Sequence, residues 1–518
     1  MTAILAALAL AAVACGGSSS KKSSSGGTSS TAGSGNVDPA GVLHVATTLA
    51  GFAFDQATSY ASPVQLGIMY HVIGTPLQLN TDGTFGPYLA ESYKITDPQT
   101  LVLTLRKGMT FQDGAPYDAT AVKTAFLANR ATGNAIYDVH VTAAVSDIGV
   151  DSPTQLTFHL STPTAGQIPA ELAGAASYAT RPGASGMVIV GAGPYKLTQF
   201  VANSKLVMQK WDGFFDAAKF KLAEVDYLHI PDAAAAQNAL QSGQVDLIAT
   251  NPTDVNALLG RGSFAKILTN NQTHYMIATC KSTAPFDNLK FRQAFDLAID
   301  RNQLNQVALG GGAKPMGSVW DPSSAYSLPL DSPTADVTKA KSLLAEIGWN
   351  SATKVPFGYF NGFQTHQLIA ETLQGMEAKV GINLDIKPIV GSIDSLVGPK
   401  TGGAYVIANS NPGVQKIIIP ALTPGSAWDP CNYTDPTLQK LADGITAGGT
   451  ATSSLKDLWQ QADHFIYDNQ VFVPLLTQPS VYVYNTKRVT GLQPGTVGLL
   501  GATAPSPFLA GVGILKAG

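Results

Sequence analysis

Apolar positions fall into two recurring rhythms along this chain. In "LVLTLRKGMTFQDG" (101–114) the apolar residues alternate as in a half-buried strand, and the phrase ends in a turn. "SPTQLTFHLSTPT" (152–164) repeats the design: a Ser-Pro turn, alternating Leu156, Phe158 and Leu160, then Pro163 as a stop. Between the two, Asp118 is placed to cap a helix whose inward face is Val122, Ala125, Phe126 and Asn129.

The second rhythm is helix, glycine, strand. "PDAAAAQNALQSGQVDLI" (231–248) predicts a helix with Asp232 as N-cap, Gly243 past its end, and a strand over 245–248. "FRQAFDLAIDRNQL" (291–304) predicts one helix with Phe291, Phe295, Ala298 and Ile299 on a single face. "DVTKAKSLLAEIGW" (336–349) gives an Asp336 cap, inward Val337, Ala340, Leu344 and Ile347, and Gly348 as stop. "HQLIAETLQGMEAKVGINLDIKP" (366–388) predicts a helix, Gly381, and an alternating strand over 382–386. "DPTLQKLADGI" (435–445) opens on Asp435 with Pro436 at the first helical position, and "VFVPLLTQPSVYVYN" (471–485) reads as strands. Such units predict three-layer α/β sheets, with a strand-rich α+β insert over about 61–180.

Composition narrows the class. The 518 residues are enough for two or three domains, and 45% are apolar, the share of a packed globule. Only 13% are charged, and Lys+Arg 32 against Asp+Glu 35 leaves a net charge of −3. That balance gathers neither nucleic acid nor anionic lipid. Residues 3–14 form an apolar run the length of a signal h-region, too short for a membrane span. Ala12, Val13 and Ala14 then precede Cys15, and a Ser/Gly tract follows. This junction resembles a bacterial lipobox, in which the cysteine is lipidated; the alternative is a plain secretory signal with an incidental cysteine. No Lys or Arg precedes the apolar run, which departs from the usual signal. Residues 16–36 bury too little apolar surface to order, and a chain of that composition spans roughly 25 Å, so they read as a tether. Cys280 and Cys431 remain, a pair that in an exported protein commonly bridges.

Four longer phrases, in order along the chain, carry a family resemblance. They are "GPYLAESYKITDPQTLVLTLRKGMTFQDGAPYDATAVKTAF" (86–126), "VGAGPYKLTQF" (190–200), "APFDNLKFRQAFDLAIDRNQL" (284–304) and "WDPCNYTDPTLQKL" (428–441). Together they resemble the extracytoplasmic solute-binding proteins of family 5, the oligopeptide, dipeptide and nickel receptors of ABC importers. The resemblance covers nearly all of 42–518. It implies a two-lobed periplasmic-binding-protein-like α/β fold of type II with an extra strand-rich subdomain. The implied organisation is a signal peptide over 1–14, a lipidated Cys15 and tether over 15–41, lobe one over 42–273, lobe two over 274–483, and a return to lobe one over 484–518. Leu89, Ala90, Leu105, Phe111 and Ile299 within the phrases read as core, and Gly191, Gly193 and Pro194 as a tight turn, so the phrases identify a scaffold and not a ligand.

The resemblance also implies where a ligand sits. "LAGFAFD" (49–55) follows the first strand of lobe one, which makes Phe52 and Phe54 candidates, and Trp320 lies in the loop after the "AIDR" helix. Trp428, Asn432 and Tyr433 belong to the last phrase. In peptide-binding relatives an aspartate ahead of that phrase pairs with the α-ammonium; here 395–428 holds no Asp or Glu, although Asp394 and Asp429 flank it. A buried ammonium there would lack a partner. A neutral polar solute, a short saccharide or small amide, suits Asn409, Ser410 and Asn411, a run that also reads as a plain turn. Both cysteine phrases border the cleft in the family, and a Cys280–Cys431 disulfide is expected from that. The expected partners are a peptide or small-molecule ligand, ABC permease subunits and the membrane through a lipid anchor, with no nucleic acid, cofactor or metal, and a monomeric receptor on the outer face of the cytoplasmic membrane. Two rivals remain at this point. An enzyme is disfavoured by the lack of a GxSxG elbow, of metal-spaced histidines and of a dinucleotide or Walker fingerprint. A sensory or surface lipoprotein, binding a neutral solute on the same scaffold without transport, is the other.

Overall fold

The structure is a computed structural model that describes residues 36–47, 63–80, 84–131, 139–182, 189–250, 256–259, 263–319, 328–361, 363–389, 403–409, 434–447, 452–492 and 509–516. The first part of the chain forms β1 (Val42–Thr47), α1 (Pro63–Val72), β2 (Ala90–Asp97), β3 (Thr100–Leu105), α2 (Ala119–Ala131), β4 (Val145–Ser152), β5 (Gln155–Leu160), β6 (Tyr195–Val201), β7 (Lys205–Lys210), β8 (Glu224–His229), α3 (Ala233–Ser242) and β9 (Leu247–Thr250). Then follow β10 (Phe264–Thr279), α4 (Leu289–Ala298), α5 (Arg301–Leu309), α6 (Val337–Glu346), β11 (Lys354–Phe360), α7 (Gln364–Ala378), β12 (Asn383–Ile389), β13 (Ala404–Asn409), α8 (Pro436–Thr446), α9 (Thr452–Asp468) and β14 (Phe472–Asn485).

The alternating phrases pair with one another. β2, β3, β5 and β4 make a four-stranded antiparallel sheet in that order. Leu101, Leu103 and Leu105 meet Leu156 and Phe158 on its buried face. α2 lies across that face, with Phe126 edge-on to Phe158 at 5.3 Å between centroids. Asp118 Oδ1 accepts the Ala121 N–H at 2.9 Å, the cap that starts the helix.

The larger sheet of 13 strands runs β12-β11-β13-β10-β14-β9-β1-β8-β7-β6, continued by the short strands Ile189–Val190 and Arg181–Pro182, with Lys314–Pro315 pairing onto β14. Its cores are separate although the sheet is continuous. One half packs two apolar clusters, one around Leu43, Val45 and Tyr227 and one around Ala46, Leu240 and Val483. The other half packs two more, around Ile277, Phe295 and Leu373 and around Met276, Ile407 and Trp459. Layers on both faces of each half are the two-lobed α/β arrangement expected from the helix–glycine–strand units. The chain end returns to the first half: Leu509, Val512 and Ile514 join the Leu43 cluster, and Leu515 bridges Val37.

Several local expectations need correction. The 291–304 phrase is two helices, not one: Ile299 is extended, and Asp300 caps α5 by accepting from the Asn302 and Gln303 N–H groups. The break buries Arg301, which pairs with Asp296 and donates to the carbonyls of Pro474 and Pro333. β9 starts two residues later than the apolar run, because the Val245 N–H is taken by the Ala239 carbonyl at the end of α3. Val337, predicted inward, is 37% exposed, while Ala340 and Leu344 are buried. Gly191 and Gly193 do more than turn the chain. A Cβ on Gly191 would sit 2.2 Å from the Val72 carbonyl oxygen, and one on Gly193 2.4 Å from that of His71. The buried Gln112 side chain fastens this contact, donating to the carbonyls of Val72, Gly193 and Tyr195 and accepting the Gly191 N–H.

Candidate functional site

Two strands cross between the halves. β10 and β14 are antiparallel along their length; of two register shifts, at Tyr275/Met276 and between Leu268↔Val481 and Gln272↔Pro479, the latter is the wider interruption. Before it, Ile267 and Val481 belong to the first pair of apolar clusters; beyond it, Tyr275, Met276 and Leu476 belong to the second pair. No apolar cluster of described residues spans the break. Backbone hydrogen bonds hold the ribbon on either side of it, no apolar cluster of described residues packs across it, and away from the ribbon α8 approaches the 165–167 turn of the first half, which is the construction of a hinge. Prolines make this possible: Pro479 sits at the interruption and Pro474 at the second register shift, opposite Met276.

Strand directions then locate a cleft. β1 is parallel to β8 and β9, and all three end toward the interruption. β11 is parallel to β12 and β13, while β13 is antiparallel to β10, so these three also end toward it. The carboxyl ends of the parallel strands of both halves therefore face one another across the hinge. In open α/β sheets that edge is where ligands bind.

The sequence-predicted residues fall largely outside the described segments. Phe52, Phe54, Trp320, Asn411, Trp428, Asn432 and Tyr433 all do, as do Cys15 and Cys431. Asn409 is described by its backbone alone: it ends β13, paired with His274 of β10, at the cleft edge. Cys280 is buried and disulfide-bonded. It follows Thr279, with its N–H on the Gly403 carbonyl, at the end of β10 remote from the hinge. The expectation that its phrase borders the cleft is corrected by that register.

Sequence reasoning missed a cluster at the carboxyl end of β11. Phe360 ends the strand, and α7 starts at Gln364 without a side-chain cap on Phe363. His366, in the first turn of α7, is 6% exposed. It stacks under Phe363 with centroids 5.1 Å apart and meets Phe360 and Tyr275 edge-on at 6.1 and 6.2 Å. Burial pushes the His366 imidazole down to about 4, so it is neutral near pH 7, and its Nδ1 has no hydrogen-bond partner. Burial likewise raises Tyr275 to about 12, opposed by a hydrogen bond with the Thr365 side chain. The Thr365 contact ties α7 to the ribbon beside the hinge, and within the ribbon the Tyr275 hydroxyl donates to Gln478 Oε1 at 3.4 Å. The legible signal was "FGYFNGF" (357–363), a run of rings at a strand-to-helix junction with no capping residue.

Residues 84–440 match the family of bacterial extracellular solute-binding proteins, family 5. The chain belongs to that family. It is a solute-binding component of an ABC importer, works outside the cytoplasm, and is not a catalyst. The chain is 26% identical over 423 residues to the glutathione-binding protein GsiB of Salmonella paratyphi A, covering 78% of this chain and 82% of the relative. Among solved structures it is similar in fold to the substrate-binding protein CtaP of Listeria monocytogenes, with a TM-score of 0.73, 21% identity, and 92% and 99% of the two chains covered. The murein tripeptide-binding protein MppA of Escherichia coli gives a TM-score of 0.72 at 18% identity, covering 93% and 100%. None of the helices among the described residues is long and apolar enough to cross a membrane.

Proposed function

We propose that this protein captures an oligopeptide or similar small polar solute between its lobes and hands it to an ABC permease. The observation that carries the reading is the β10–β14 ribbon, with its cores interrupted at one level and the carboxyl ends of both sets of parallel strands facing that level. A hinged pair of lobes responds to any solute that touches both, because such a solute favours the closed form by its differential affinity. Closure removes water and strengthens the remaining polar contacts. We place lobe one at 42–273 with its return at 484–518, and lobe two at 274–483. The chain acts as a monomer, tethered through a lipidated Cys15 that raises its concentration near the transporter. Cys431 is the partner we assign to Cys280.

The test is a thermal-shift screen of di- to pentapeptides, glutathione, oligosaccharides and small amides. A solute at one hundred times its Kd stabilises the folded protein by about 2.7 kcal/mol. A graded shift from at least one class supports the reading, and a flat response to all of them contradicts it. Fractionation separates the anchored receptor from the free one: Cys15→Ser should release the protein from membranes. Peptide mapping without reductant should recover the 280–431 crosslink.

A further inference from the structure

The lobe-two wall of the cleft has a chemistry of its own. Phe363 is 61% exposed, the highest exposure of any large apolar side chain among the described residues. Its position is nonetheless fixed from behind: one face stacks on His366, which Phe360 and Tyr275 hold edge-on. The free face is a preoriented ring at the carboxyl end of β11, the edge that looks across the hinge.

Among the described residues, the strand ends around the ring carry no formal charge. The residues that end the strands at this edge (273–275, 360–361, 388–389, 408–409 and 477–479), together with 363–367 at the start of α7, include no Asp, Glu, Lys or Arg. Among the described residues the titratable groups here are His274 and Tyr275 on β10, His366 on α7, and Lys314, which pairs opposite Thr477 on the other side of β14. Glu371, one turn further along α7, is held by Gln367 Nε2 at 2.8 Å, and Lys387 on β12 is paired with Asp385 at 2.8 Å. His366 is kept neutral by burial and offers no cation to an incoming carboxylate.

We propose that Phe363, seated on His366, Phe360 and Tyr275, forms a subsite for an uncharged aromatic or apolar group of the captured solute. A charged group brought against this wall would lose water without meeting a countercharge. A ring or branched apolar group gains both burial and stacking. This assignment rests on the cleft reading above and adds the chemical class of one part of the solute.

Isothermal titration of the full chain tests it with Ala-Phe-Ala, Ala-Glu-Ala and Ala-Lys-Ala, and with p-nitrophenyl against methyl glucoside. The aromatic member of a binding set should bind about tenfold tighter or more. Phe363→Ala should erase that advantage, so that the aromatic member binds no tighter than the others, and the exposed position lets the variant fold. Affinity for the aromatic member should stay flat between pH 5.5 and 8. Preference for Ala-Glu-Ala that strengthens as pH falls would show His366 taking a proton to bind an anion and would overturn the assignment. If none of these probes binds but another solute from the screen does, an unchanged Kd for that solute in Phe363→Ala overturns it equally. A protein that binds nothing in either experiment refutes the cleft reading itself, a different result from binding that ignores Phe363.

Discussion

Glu377 lies in the last turn of α7 with its side chain fully buried, and neither carboxyl oxygen has a hydrogen-bond partner. Burial raises its pKa well above the ordinary 4.5, and the nearby Asp296 charge adds to the rise. The folded state therefore keeps a proton that the unfolded chain releases. With the folded pKa above the unfolded one, Glu377 makes its full contribution to stability below the unfolded value and loses it as pH rises toward the folded value. Each unit of that interval is worth about 1.4 kcal/mol. Glu377→Gln removes the proton linkage and preserves the shape. Urea unfolding of both proteins at pH 5, 6 and 7 should show the variant gaining on the wild type as pH rises. A constant difference across the three pH values would refute the reasoning, since an ionised or solvated Glu377 has no such slope.

Other perturbations have their own signatures. Asp463 on α9 is raised to about 6 by burial, partly offset by hydrogen bonds from the Ser318 hydroxyl and the Leu328 and Val319 N–H groups. Its linkage is confined to the window from its ordinary 3.8 to about 6. The stability difference between Asp463→Asn and wild type should therefore grow between pH 4 and 6 and then level off, in contrast to Glu377, and a slope persisting to pH 8 in urea titrations would contradict this. Gly191→Ala drives a Cβ into the Val72 carbonyl and the Ile73 Cα at 2.2 and 2.4 Å, both backbone. It should cost ~3 kcal/mol or more and appear as a lowered midpoint or insoluble expression. Gln112→Leu takes the side-chain partner from the Gly191 N–H and from the Gly193 and Tyr195 carbonyls, and should lower stability by about 2–4 kcal/mol in the same assay. Asp300→Ala removes the α5 cap for about 1 kcal/mol, readable as a small shift in urea midpoint.

The elements were legible where local chemistry sets them. Asp232, Asp336 and Asp435 each cap the helix expected of them, and Gly243, Gly348 and Gly381 adopt positive φ where the chain turns. What escaped was chemistry settled by distant partners. The break at Ile299–Asp300 looks like continuous helix in sequence, because the gain from it lies in Arg301 reaching Asp296 and the Pro474 carbonyl on β14. Val337 carries the apolar signal of a buried position, but packing on the α6 face stops at Ala340 and Leu344. Of the ligand residues expected from the sequence, Asn409 alone falls within the described residues, by its backbone, at the end of β13. The Phe363–His366 stack was hidden because its meaning depends on Tyr275, far away in sequence, closing the ring cluster from β10. The placement of Cys280 away from the hinge follows from the length of β10, which no local pattern encodes.

The central claim is that two halves joined by the β10–β14 ribbon move together around a solute. Spin labels on Ala234→Cys and Gln364→Cys occupy exposed positions in the first turns of α3 and α7, on opposite sides of the break. Electron–electron distance measurement, before and after saturation with a solute that raised the melting temperature, reads the motion directly. The account predicts a shorter and narrower distance distribution on binding, and an unchanged distribution at full occupancy would contradict it.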